Sequence, residues 1–330
     1  MSKLVEVKNL KKYFKSPRGT VHATDDVTFS IEQGKTMGIV GESGCGKSTL
    51  GRMLVHLEES TGGQIIFNNE DVTQLSKKGL KEYHSHAQMI FQDPYSSLDP
   101  RYTIEDAIRE PLMISGKYNR MQAQKKTEEL MDLVGIARRL RMAYPHELDG
   151  GRRQRVGIAR ALALDPEFVV CDEPVSALDV SIQAQVLNLL KQLQKEHNLT
   201  YMFITHDLSV VKHISDDICV MYLGQLVETS PSRELFTTQY HPYTKALLSA
   251  IPSTDIDNKM KRIVLKGEIT SPIDPKPGCR FAARCNYACE KCYQPQKLEE
   301  ISPNHFVSCC RVREINGCSK KNRRMRGGTR

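Results

Sequence analysis

The sequence reads as an α/β protein built on a mainly parallel sheet, for three reasons. First, short apolar runs without alternation recur along the 330 residues: Met37-Gly38-Ile39-Val40, then 87–91, 168–171 and 201–204. Such runs suit strands covered on both faces. Second, helical periodicities lie between and after them. The clearest is Ile182, Val186, Leu189 and Leu193, at three- and four-residue spacing and ended by Asn198. Third, a glycine-rich turn joins the first apolar run to a helix. Buried strands alternating with helices give this class of fold.

Residues 1–32 read as strands, because Val27, Phe29 and Ile31 alternate with Thr28, Ser30 and Glu32. Gln33-Gly34 turns the chain, and a helix is expected over 48–57. Residues 103–144 hold no strand-like run. Helical stretches there, the clearest at 123–134, point to an all-helical insert, placed at about 93–148. From Pro252 the composition shifts, with prolines at 252, 272, 275, 277, 295 and 303 and seven of the ten cysteines from Cys279 onward. The organisation expected is a domain over 1–254, a cysteine-rich module over 255–318 and a basic tail over 319–330.

Charged residues at 26% and hydrophobic ones at 39% describe an ordinary globular chain. No segment approaches the roughly 18 consecutive apolar residues of a membrane-spanning helix. The first residues lack the apolar stretch of a secretory signal, so a cytosolic chain is expected. Its cysteines should then be reduced and not paired as disulfides. The net charge is +8, but Lys320, Lys321, Arg323, Arg324, Arg326 and Arg330 supply six of those charges. That concentration reads as a solvated end, and no nucleic-acid partner is expected.

Gly41-Glu42-Ser43-Gly44-Cys45-Gly46-Lys47-Ser48, followed by Thr49, has the spacing G-x-x-x-x-G-K-[ST] between a buried strand and a helix. Glycines let backbone N–H groups close around phosphate oxygens, and the helix N-terminus adds positive partial charge. Lys47 brings a full charge to the β- and γ-phosphates of ATP, and Ser48 offers a hydroxyl to Mg²⁺. The complement is Phe168-Val169-Val170-Cys171-Asp172-Glu173. Here an apolar strand delivers two carboxylates to the end of the sheet where such folds bind ligands. Asp172 can hold Mg²⁺, and Glu173 can act as general base for the water that attacks the γ-phosphate.

With these residues in place the chain resembles the ATP-binding subunits of ABC transporters. Leu148-Asp149-Gly150-Gly151-Arg152-Arg153-Gln154 looks like that family's LSGGQ signature. Gln92 resembles the Q-loop glutamine that senses Mg²⁺ and the attacking water, Ser176-Ala177-Leu178-Asp179 the D-loop, and His206 the histidine that contacts the γ-phosphate. The resemblance implies a P-loop ATPase domain with an antiparallel β subdomain, and an aromatic stacked on adenine. Spacing favours Phe14 for that role, with Tyr13 as the alternative. His241-Pro242-Tyr243-Thr244-Lys245-Ala246-Leu247-Leu248 and the cysteine-rich end look like oligopeptide and dipeptide importers, with nickel importers close by.

The family implies two such subunits stacked head-to-tail, so that the signature of one closes on the phosphate held by the other. Asp149 stands where serine is usual. Aspartate caps a helix as well as serine does, yet two unit negative charges about 4 Å apart repel by about 4 kcal/mol at an effective dielectric of 20. Arg152 stands in place of the usual glutamine. A heterodimer with a related ATPase is therefore expected, docked on two membrane permeases that an external solute-binding protein serves, at the cytoplasmic face of the membrane.

Cys279-x5-Cys285-x6-Cys292-x16-Cys309 matches the C-terminal pattern of the peptide importers, for which four cysteines binding a [4Fe–4S] cluster are implied. Converging thiolates suit a cluster or tetrahedral Zn²⁺, and the spacings of these four, which are not the paired C-x2-C of common zinc sites, lean toward iron. Cys289, Cys310 and Cys318 are extra, Cys310 being the rival of Cys309. Cys45, Cys171 and Cys219 read as small core or loop residues and not as ligands. A non-transport ABC ATPase acting on nucleic acid or the ribosome is the alternative from another class. The single cassette, with only about a hundred residues between phosphate loop and signature, weighs against it.

Overall fold

A computed structural model describes residues 2–93, 95–251, 262–268 and 270–317. Its strands are β1 (Lys3–Ser16), β2 (Gly19–Glu32), β3 (Thr36–Val40), β4 (Gly62–Phe67), β5 (Glu70–Asp71), β6 (Ala87–Ile90), β7 (Phe168–Asp172), β8 (Thr200–Thr205), β9 (Asp217–Tyr222), β10 (Gln225–Pro231), β11 (Glu299–Ser302) and β12 (His305–Val307). Its helices are α1 (Lys47–Leu54), α2 (Lys77–His86), α3 (Ile104–Ser115), α4 (Arg120–Leu133), α5 (Gly150–Leu162), α6 (Val180–His197), α7 (Leu208–Ile214), α8 (Ser232–Thr237), α9 (Pro242–Ser249) and α10 (Val312–Ile315).

Two sheets carry the molecule. One has the order β2-β1-β4-β5 and is antiparallel. The other runs β11-β12-β10-β9-β3-β8-β7-β6. In its parallel centre, β9-β3-β8-β7-β6, the apolar runs read from the sequence form β3, β8, β7 and β6, and β9 is a further strand that the reading did not single out. Every residue of β3, β7 and β8 is buried, as the missing alternation requires. In β2, by contrast, Val27, Phe29 and Ile31 are buried while Thr28 and Glu32 face out. One apolar layer, with Leu10, Phe29, Met37, Leu50 and Ile204, fills the space between the two sheets. A second joins Ile108, Leu130, Val156, Val186, Leu190 and Phe203 under the helical insert.

The helix after the glycine-rich turn is shorter than the 48–57 expected. It closes at Leu54, and His56 stands at φ 54°, a left-handed conformation that a continuing helix does not allow. Helix α6 ends at Asn198 (φ 52°), as read. Helix α4 covers the periodic stretch and starts on a capping box formed by Asn119 and Gln122. Among the described residues, 93–148 contains no strand.

The segment expected as a module after residue 254 continues the main sheet. Strand β12 pairs with β10 (Glu228 opposite Val307), and β11 pairs with β12. Phe281 packs among Tyr222, Tyr243 and His241 in a third apolar layer. The boundary at 254/255, Cys318 and the basic tail 319–330 lie outside the described residues. No described helix is long and apolar enough to cross a membrane.

Candidate active site at the phosphate loop

Strand β3 delivers the chain into residues 41–46, and α1 begins at Lys47. Gly46 holds φ 101°, and a Cβ there would stand 1.9 Å from the Ala23 carbonyl oxygen. Only glycine fits where β2 presses on this loop. Gly41 is closed in the same way by the Met221 carbonyl, 2.1 Å from a Cβ position, whereas Gly44 faces open space. Ser43 and Gly44 are exposed, Cys45 is buried and Thr49 is half-buried on the first turn of α1. Burial raises the Cys45 thiol above its ordinary value. It is a packing residue, not a nucleophile.

Lys47 is buried, and its Nζ donates to the carbonyls of Gly41 (2.9 Å) and Glu42 (3.1 Å). Curled over its own loop, the ammonium waits where a phosphate would replace those carbonyls. Ser48 donates to Asp172 Oδ1 at 2.8 Å. Burial raises the Asp172 carboxyl, against the pull of Ser48 and Arg52. The two oxygens are hard donors of the kind Mg²⁺ takes, so the residues present fit that ion. When bound it would neutralise developing phosphate charge.

Glu173 is the other carboxylate of the pair. Its backbone adopts φ 44° and its N–H donates to Ile204 O at 2.9 Å. Gln92 Nε2 donates to Glu173 Oε2 at 3.1 Å, and His206 Nδ1 stands 3.2 Å from the same oxygen. Three residues at the ends of β6, β7 and β8 therefore meet on one carboxylate. The carboxylate is thus held by two neighbours from adjacent strand ends.

A second group lies at the start of α5. Asp149 caps that helix, its Oδ1 accepting the Arg152 N–H at 2.8 Å, and its Oδ2 stands 3.4 Å from Arg152 Nε. Gly150 and Gly151 lie against Leu178 and Ile182, where added Cβ atoms would stand 3.2 and 2.6 Å away. Asp179 is exposed at the N-terminus of α6 beside them. The structure thus joins Lys47, Ser48, Asp172, Glu173, Gln92 and His206 in one cluster, and Asp149, Gly150, Gly151 and Asp179 in another.

The family described as "ABC transporter" matches residues 24–176, and that described as "Oligopeptide/dipeptide transporter, C-terminal region" matches 227–292. A putative oligopeptide transport ATP-binding protein of Bacillus subtilis, YkfD, is 52% identical over 311 residues, 93% of this chain and 94% of its own. The oligopeptide transport ATP-binding protein AppF of the same organism is 50% identical, over 93% of this chain and 96% of its own. The chain belongs to the ABC transporter ATP-binding family. Among solved structures, an ATP-binding cassette dimer in a post-hydrolysis state with ADP and Pi is 29% identical (TM-score 0.64). It covers 70% of this chain and 99% of its own. CbiO1 of Clostridium perfringens, part of a cbiONQ ABC transporter complex, is 26% identical (TM-score 0.64), over 72% and 92%.

As an ABC ATPase this subunit hydrolyses ATP. Of the two aromatics ahead of the phosphate loop, Tyr13 is committed elsewhere. Its hydroxyl donates to Asp25 and its ring stacks on His22, with centroids 4.0 Å apart. Phe14 keeps 37% of its surface exposed, with only Lys12 over the ring.

The ABC subunit's cysteine-rich region departs in part from the expected ligand set. Cys279, Cys285, Cys292, Cys309 and also Cys310 line one small cavity together with Phe281. Burial, reinforced by Cys309, Cys292 and Cys285, pushes the Cys279 thiol up to about 12. Yet the tightest group among the described residues is Cys289, Cys292 and Cys310. There Cys292 Sγ lies 3.8 Å from Cys289 Sγ and 3.7 Å from Cys310 Sγ. The soft thiol donors fit an iron–sulfur cluster or zinc.

Sequence reasoning passed over two residues of the phosphate loop's surroundings. Tyr243 is fully buried and its hydroxyl accepts the Glu42 N–H at 3.0 Å. Arg284 donates to Glu42 Oε2 at 2.7 Å. Tyr243 lies inside the His241-Pro242-Tyr243-Thr244 motif that the resemblance singled out. Arg284 lies in the stretch 278–285 that matches the peptide importers' C-terminal pattern, but no role was read for it there.

Proposed function

We propose that this chain energises the import of dipeptides and oligopeptides through separate membrane permeases, seated peripherally on the cytoplasmic face. The observation that carries the reading is one chain with a complete phosphate half-site and the C-terminal region of oligopeptide/dipeptide transporters. Two permease subunits and an external solute-binding protein complete the machine. ATP binds with its adenine on Phe14 and its phosphates along residues 41–49. Glu173 takes the proton of the attacking water, and Gln92 and His206 hold that carboxylate in place.

The second ATPase is a related subunit, and the chain's own signature makes the weaker of two composite sites. Arg152 neutralises part of the Asp149 charge, but a carboxylate still stands where a serine hydroxyl would meet the phosphate. Cys279, Cys285, Cys292 and Cys309 hold a [4Fe–4S] cluster, with zinc the competing occupant. Iron and sulfide in the purified chain, with absorbance bleached on reduction, support the cluster; stoichiometric zinc replaces it.

The test of transport is replacement of the native chain by Lys47→Ala in its own cells. Uptake of a radiolabelled dipeptide should be lost, and purified K47A should not retain nucleotide. If nickel uptake fails and peptide uptake continues, the solute assignment is wrong.

A further inference from the structure

The residues between Cys279 and Cys285 reach into the ATPase core. Arg280 is almost fully buried, donating to the Leu223 carbonyl and pairing with Asp25 on β2. Phe281 packs against Tyr222 and Tyr243. Arg284, its side chain 10% exposed, pairs with Glu42 at 2.7 Å and lies 3.4 Å from the Tyr222 hydroxyl. A 3₁₀ turn over Ala282–Arg284 ties these side chains to the cysteines. Ala282 N–H donates to Cys279 O (3.0 Å) and Cys285 N–H to Ala282 O (3.2 Å).

Glu42 is part of the phosphate loop itself. Its N–H is held by Tyr243 and its carbonyl accepts Lys47 Nζ at 3.1 Å. Left unpaired, its carboxylate would set a unit negative charge beside a polyanionic ligand. Arg284 cancels that charge from the chain position next to Cys285. We infer that Arg284 is a positioning residue for nucleotide binding and that the segment from Cys279 to Cys285 couples the cysteine cage to the phosphate loop. Binding of a metal or cluster at the cage fixes the turn and keeps Arg284 on Glu42; its loss frees Arg284 and lowers nucleotide affinity. The coupling to metal rests on the proposed occupancy of the cage, whereas the Arg284–Glu42 charge pair does not.

The experiment measures the Kd of a fluorescent ATP analogue with Mg²⁺ on the full chain, metal-loaded and after chelation, with iron, sulfide and zinc assayed in each sample. Arg284→Met should raise Kd about tenfold, the loss of one charge-assisted contact. Chelation of the unaltered chain should give a similar rise, and chelation of R284M no further one. The double variant R284M/E42Q should recover most of the affinity, which a purely structural loss would not permit. The idea is overturned if R284M binds as the unaltered chain does, if the double variant is no better than R284M, or if chelation weakens E42Q as much as the unaltered chain. A purified chain holding no iron, sulfide or zinc would instead remove the cage occupancy, with the R284M and double-variant comparison still deciding the charge pair.

Discussion

Glu173, the base proposed above, holds a costly backbone conformation. A glutamate at φ 44° is held in a sparsely populated region, at about 1–3 kcal/mol. What holds it is the strand register: its N–H is bound to Ile204 O, while Gln92 and His206 share its carboxylate. Next to it, Asp172 is raised by burial and steadied by Ser48, an environment different from that of Glu173, in keeping with the separate roles proposed for the two acids. Glu173→Gln keeps the shape and removes the base. Hydrolysis should fall about 10²- to 10⁴-fold while nucleotide affinity is retained. Steady-state ATPase and equilibrium binding of the same variant check this; unchanged turnover would remove Glu173 from the role.

Among the elements, α9 shows how a short helix is seated under the phosphate loop. His241 caps it, its Nδ1 accepting the Tyr243 N–H at 3.1 Å, an acceptor role open only to a neutral ring. Burial lowers the His241 pKa to about 4, although Glu228 pulls the other way. The unfolded ring titrates near 6.5, so between those values the unfolded chain binds the extra proton. The contribution to stability is therefore complete above about pH 6.5 and is lost as the pH falls toward 4, by roughly 3 kcal/mol in all. His241→Asn keeps a cap without the titration. Thermal melts of both chains across this range should show a smaller loss for the variant, and parallel curves would exclude His241 as the source. Elsewhere α5 and α6 meet through Gly151, which lets the signature lie against Ile182.

At the scale of the whole molecule the two residue clusters lie in different places. One surrounds the glycine-rich loop, and the other, with Asp149 at its head, is presented at the N-terminus of α5. The head-to-tail pair proposed above would use both. Asp149 and Arg152 are an exposed pair at 3.4 Å, and exposed pairs are worth about 0–1 kcal/mol. That is less than the repulsion an approaching γ-phosphate would meet. The purified chain alone should therefore hydrolyse ATP slowly, and Asp149→Ser should raise its rate by about five- to tenfold, the equivalent of 1.0–1.4 kcal/mol. Equal rates for the two chains would argue for a competent homodimer.

The sequence by itself determined the elements whose cause is local. Burial on both faces showed in 37–40, 168–171 and 201–204, because a doubly covered strand has no polar position. The end of α6 showed at Asn198, which takes the left-handed turn a helix end asks for. The phosphate loop was legible because its glycines, lysine and serine act within eight consecutive residues. Tertiary structure alone decided what depends on contacts between distant parts of the chain. It joined β12 to the edge of the ATPase sheet through β10, occupied Tyr13 with Asp25 and left Phe14 exposed, and drew Cys289 and Cys310 onto Cys292. It also set Arg284 on Glu42, 242 positions away. No periodicity records such a pair, since the two charges are brought together only after the sheet between them has formed.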